Sequence, residues 1–116
     1  MSTDSQPWPP EAEPFRCDVS LERDIVRILP IGELDLITAP ILEARLTEVR
    51  NAGYRQVLLD LRGLLFIDST GLHVILRHDA EARRDGFSLA LVPGPPEVQR
   101  VFDTAGVATR LPFIDA

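Results

Sequence analysis

Between Gln56 and Asp85 the hydrophobic period changes abruptly, and that change leaves few folds open to the chain. Val57, Leu58, Leu59 and Leu61 form an apolar run broken only by Asp60, as in a strand buried on both faces. Past Leu65-Phe66-Ile67-Asp68-Ser69-Thr70-Gly71 the spacing turns helical, with Leu72, Ile75, Leu76 and Ala80 on one face and Arg77, Glu81 and Arg84 directed outward. The stretch is therefore a strand-to-helix junction. It sets Asp68, Ser69 and Thr70 at a helix N-terminus, where unpaired backbone N–H groups and the positive end of the helix dipole favour side-chain oxygens and anions. These are also preferred capping residues, and on local chemistry alone capping is the simpler role for Asp68, Ser69 and Thr70.

The rest of the chain supplies the partners of this junction. Residues 1–14 hold Pro7, Pro9, Pro10 and Pro14 with small polar and acidic residues and a single large apolar group, Trp8, and read as a disordered leader. The domain is expected over residues 15–116. Phe15, Cys17, Val19 and Leu21 alternate with Arg16, Asp18, Ser20 and Glu22, the pattern of a half-buried edge strand with its apolar set inward. Arg23-Asp24 turns the chain into a second, antiparallel strand over Ile25–Ile31, where Pro30 requires a bulge or an unpaired position. Gly32-Glu33-Leu34-Asp35 ends that strand. Thr38 is placed as N-cap of a helix that buries Leu42, Leu46 and Val49 and stops at Gly53. The strand at Gln56–Leu61 follows, then the junction helix, which ends near Asp85-Gly86, and a strand over Phe87–Val92. A third helix places Val98, Val101, Phe102 and Ala105 on one face before Gly106, and a last short strand is expected over Thr109–Phe113. The order β-β-α-β-α-β-α-β predicts one α/β domain with a mixed, mostly parallel sheet. In such sheets the strand ends meet the helix starts, which brings Asp35 and Asp68-Ser69 to one edge.

Composition excludes several functions. A formal charge of −6 without any basic run argues against nucleic-acid binding. The apolar segments are short and interrupted, so no membrane span is expected, and the absence of a basic patch before an apolar run argues against a secretory signal and for a cytoplasmic protein. The single cysteine rules out an internal disulfide and reads as a small buried apolar group. His73 and His78 lie about 140° apart around a helix, poorly placed to share a metal. Ser69 and His73 form an i, i+4 pair without an orienting acid or an oxyanion hole, and the chain has no lysine for a phosphate-cradling loop. An enzyme is not indicated.

Gly32-Glu33-Leu34-Asp35 with Thr38-Ala39, Leu59-Asp60-Leu61, Phe66-Ile67-Asp68-Ser69-Thr70-Gly71-Leu72 and Val101-Phe102-Asp103-Thr104-Ala105-Gly106, in this order, resemble the STAS domain, and within it the bacterial anti-sigma factor antagonists. The resemblance implies a STAS-like fold and a partner-switching function in transcription. The unmodified protein would bind an anti-sigma factor that is also a serine kinase, releasing the sigma factor. Phosphorylation of Ser69 would switch that binding off, and a PP2C-type phosphatase would restore it. ATP and Mg²⁺ would be used by the kinase, with no cofactor in the antagonist itself. By the same resemblance Asp35, Asp68, Thr70 and Gly71 belong to the partner-binding surface, and His73, where many relatives have a small residue, adds bulk and a titratable ring to it. Two other readings stand beside this one: a constitutive STAS subunit or scaffold of a transport or signalling complex in which Ser69 only caps, and a small-ligand sensor. Nothing in an acidic single domain predicts more than a monomer.

Overall fold

A computed structural model describes residues 14–114, so the leader expected over residues 1–14 lies outside the described residues apart from Pro14. The chain runs β1 (Arg16–Glu22), β2 (Ile25–Leu34), α1 (Ala39–Asn51), β3 (Gln56–Asp60), a 3₁₀ turn (Leu61–Gly63), β4 (Leu64–Ile67), α2 (Ser69–Asp85), β5 (Ser88–Val92) and α3 (Pro96–Thr104). β1 pairs antiparallel with β2, and the sheet continues through β3 to β5 in parallel, in the order β1-β2-β3-β5. β4 pairs in parallel with the end of β2. The α/β class and the mixed sheet are those the periodicities imply.

Two strands stand where the sequence predicts one. The apolar run from Val57 does not lead straight into the junction: Asp60 is 2% exposed, accepts a hydrogen bond from the N–H of Arg62 at 3.1 Å, and its carboxylate also pairs with the Arg27 and Arg62 side chains. That cap turns the chain through Leu61–Gly63 and delivers it to β2 again as β4. β3 matches Val26–Ile28 and β4 matches Gly32–Leu34, leaving Leu29, Pro30 and Ile31 unpaired on that side, which is where Pro30 can lack a donor without loss.

The last expected strand is reduced to a single parallel bridge between Leu91 and Phe113. Leu111 and Arg110 instead donate to Val107 O, a helical turn that buries Val107 and Leu111, and the Phe113 ring packs edge-on to Phe102 at 5.2 Å. β1 also differs from its alternation. Phe15 and Cys17 pack on the core, but Val19 and Leu21 are 48% and 56% exposed on the strand that, among the described residues, forms one edge of the sheet. Burial, partly offset by the charge of Arg45, pushes the Cys17 thiol up to about 11, so it is a protonated, half-buried group at neutral pH.

α2 is rotated from the face its spacing suggests. Leu72 and Ile75 are buried as expected, but Ala80 is exposed and Gly71, Val74, His78, Asp79 and Ala82 complete the buried surface. The reason is that α2 is covered twice, by the sheet on one side and by α1 on another, where Arg77 pairs with Glu43 and Arg50 with Glu81. Gly86, at φ +78°, closes the helix as a left-handed cap.

Candidate functional site

The end of β2 and the start of α2 are tied together by one backbone hydrogen bond, Asp68 N–H to Leu34 O at 3.1 Å. The bond is possible because α2 comes very close to β2 at Gly71. A Cβ at that position would stand 2.6 Å from Cγ of Leu34 and 3.1 Å from Cγ1 of Ile67, so only glycine permits this approach. Gly71 itself is buried, and its small size has an intramolecular reason.

On the β2 side, Asp35 organises the loop that follows. Its Oδ1 accepts from the N–H groups of Ile37 at 3.0 Å and Thr38 at 3.1 Å, while its own N–H donates to Thr38 Oγ1 at 2.9 Å. Thr38 occupies the N-cap position of α1 as expected but makes no capping bond with its side chain, because its hydroxyl turns back to donate to Glu33 O at 2.6 Å. Asp35 therefore holds the loop Asp35–Thr38 in one shape ahead of α1.

On the α2 side the roles are divided differently from the simplest reading. Asp68 is the N-cap, its Oδ1 accepting from Gly71 N–H at 3.0 Å. Ser69 is the first helical residue, exposed, and among the described residues its hydroxyl has no hydrogen-bond partner. It opens onto a groove of about 350 Å³ that it shares with Leu72, Glu97, Arg100, Val101 and Thr104. Thr70 is half-buried and His73 exposed, and both line a second hollow of about 380 Å³ with Leu36, Glu43 and Arg77. Asp35 and Leu65 line a third, of about 290 Å³, against Phe15 and Gly32.

Four large apolar side chains whose exposure the periodicities do not predict lie next to Asp35 and Asp68 in the chain, two of them, Leu36 and Leu65, lining these hollows. Leu36, Ile37, Leu65 and Phe66 are 68%, 79%, 73% and 48% exposed. A signal for them exists: Leu36-Ile37 fall outside either periodic segment, and adjacent residues of a strand such as Leu65-Phe66 cannot both face one core. Leu36-Ile37 directly follow Asp35 and Leu65-Phe66 shortly precede Asp68, so exposed apolar groups flank both carboxylates in the chain. His78, the second histidine of α2, is not at the surface. It is 4% exposed, and burial lowers its pKa below the usual 6.5 despite Glu81 and Glu43 at 3.7 and 3.9 Å. No helix of the described residues is long and apolar enough to cross a membrane.

Comparison with known proteins agrees with this geometry. The STAS domain family model matches residues 18–116. The chain is 29% identical to an anti-sigma F factor antagonist of Paenibacillus polymyxa over 102 residues, 87% of each chain. It is 30% identical over 76 residues to an anti-sigma-B factor antagonist of Staphylococcus aureus, covering 66% of this chain and 70% of that one. Among solved structures it is similar to a crystal structure described as a putative anti-sigma factor antagonist from Thermotoga maritima, with a TM-score of 0.79 and 25% identity over 86% of both chains.

Proposed function

The chain belongs to the STAS domain family, in its bacterial anti-sigma factor antagonist branch, and we propose that it acts as an antagonist switched by phosphorylation of Ser69. In this reading the unmodified surface around Asp35, Asp68, Thr70 and His73, with the exposed apolar groups beside it, docks an anti-sigma factor that is also a serine kinase. The kinase brings ATP and Mg²⁺, a PP2C-type phosphatase removes the phosphate, and the exchange takes place in the cytoplasm.

The observation that carries the reading is the division of labour at the start of α2: Asp68 caps the helix, which leaves the Ser69 hydroxyl exposed and, among the described residues, without a partner. A serine retained only as a cap would have its oxygen on a backbone N–H. A phosphoryl group there adds about −1.5 to −2 charge on a helix start that tolerates an anion, so the fold survives it. Inside a docked interface the same charge would be desolvated next to the adjacent Asp68 and in a groove that also holds Glu97. A thousandfold loss of affinity needs only about 4 kcal/mol, within the range for an unpaired interfacial charge.

The test uses Ser69→Asp and Ser69→Ala as baits beside the wild type, in lysate of the source organism, followed by calorimetry with the kinase recovered. Wild type and Ser69→Ala should hold the same ATP-binding partner and Ser69→Asp should lose it. Equal retention by all three would favour a constitutive STAS subunit and overturn the switch.

A further inference from the structure

We infer that the free edge of β1 is a self-association surface, on which a second copy of this chain adds its own β1 antiparallel to form one continuous sheet across a two-fold axis. Among the described residues β1 pairs only with β2, and every residue from Asp18 to Glu22 is exposed. The two-residue loop Arg23-Asp24 makes Glu22 and Ile25 the hydrogen-bonded pair that closes the hairpin. Alternation along the ladder then points the N–H and C=O groups of Leu21, Val19 and Cys17 away from β2, towards the open edge.

An exposed strand edge can accept many partners; the side chains here select one. With outward groups facing outward groups, an antiparallel copy can be centred on Val19 or shifted by one residue to either side. Centred on Val19, all seven residues pair: Arg16 lies opposite Glu22 of the second copy, Cys17 opposite Leu21, Asp18 opposite Ser20 and Val19 opposite itself. Both shifted registers shorten the match to five residues and set like charges face to face, Asp18 on Asp18 in one and Asp18 on Glu22 in the other. The self-complementary register also brings the exposed Val19 and Leu21 of both copies together on the helix-bearing face of the sheet, where no described residue covers them. A two-fold contact of this kind is isologous and closes at a dimer. It differs from the monomer that the composition suggests and leaves the Asp35–Ser69 surface free.

The test is sedimentation equilibrium of the full chain across a concentration series reaching millimolar. The wild type should move from 12.9 kDa towards twice that mass, and its Cys17, Val19 and Leu21 amides should gain protection from hydrogen exchange as concentration rises. Glu22→Arg and Arg16→Glu each place like charges across the axis and should weaken the dimer at least tenfold, whereas the double reversal should restore it. Circular dichroism and thermal melting identify any variant that has lost its fold. A wild type that remains at 12.9 kDa throughout, or single reversals that dimerise as well as the double, would overturn the proposal.

Discussion

Gly71→Ala should destabilise the protein although it replaces glycine within a helix. Helix propensity alone would reward the change by up to about 1 kcal/mol. Against that, the new Cβ would stand 2.6 and 2.8 Å from Cγ and Cδ2 of Leu34, roughly 1 Å inside ordinary carbon–carbon contact. Leu34 is fully buried and cannot swing into solvent. Overpacking of this kind costs about 1–3 kcal/mol, so the net loss should be about 1–2 kcal/mol, a fall in urea midpoint on the order of 1 M. Relief of the clash requires α2 to back away from β2, which lengthens the Asp68–Leu34 backbone bond. The Asp68 amide should therefore exchange faster. In a Leu34→Ala background the obstructing atoms are gone and the same substitution should become neutral or favourable, giving a coupling of about 2 kcal/mol between the two sites. Were Gly71→Ala to stabilise the wild type, or to cost the same in both backgrounds, close approach of helix to strand would not be the reason for glycine here.

Three further outcomes are open to the same equilibrium methods. Arg23 holds φ +59°, a conformation unfavourable for a side chain, so Arg23→Gly should raise stability by about 0.5–1 kcal/mol in thermal or urea unfolding. His78 is neutral when folded, because burial lowers its pKa below the 6.5 of an exposed histidine; the unfolded chain takes up the proton first, so stability is complete above pH 6.5 and falls as the pH drops below it. His78→Gln should flatten that slope in a series of urea titrations. Burial of Asp60 favours its neutral form, but hydrogen bonds and charge from Arg62, with Arg27, outweigh this and hold the carboxyl below 3.8. Its stabilisation is thus present above that pH and lost as acid protonates the folded state. Asp60→Asn should cost roughly 3 kcal/mol at neutral pH, the low end for a broken buried pair because Arg62 is 58% exposed, and should shrink the loss between neutral pH and pH 3.

Legibility in the sequence followed how local each determinant is. α1, the start of α2 and its end near Gly86 are set by turn residues and by period, which act within a few positions, and the hairpin by the alternation of its strands, since Arg23 and Asp24 are not the residues a tight turn prefers. The break at Leu61–Gly63 is made by Asp60 capping the N–H of Arg62, but a carboxylate is buried there only because Arg27, of another strand 33 positions earlier, also pairs with it, so the run from Val57 reads as one strand until the fold supplies that arginine. α2 kept its length but not its face, since a helix covered on two sides buries more than one stripe and can admit His78 and Asp79. Val19 and Leu21 alternate as core residues do, yet only a covering element would make them so. At the candidate site the polar residues were visible as a motif, while the exposed apolar groups were not, because exposure of Leu36, Ile37, Leu65 and Phe66 is a property of where β2 and β4 end rather than of any period.

The same geometry separates fold from signal. An acidic side chain in the first turn of a helix interacts favourably with the dipole, by about 0.3–1 kcal/mol at an exposed position. Ser69 is such a position, and since the Asp68–Gly71 bond already satisfies the cap, a charge on Ser69 displaces no hydrogen bond of the folded chain. Repulsion from the adjacent Asp68 opposes the dipole but is screened where water reaches both groups. Ser69→Asp should consequently leave the melting temperature within a few degrees of wild type while abolishing partner capture. The two readouts must diverge for the switch to reside in the docking surface. A variant that lost binding and stability together would place Ser69 in the architecture of α2, and the exposed hydroxyl would then have a structural purpose that its surroundings do not show.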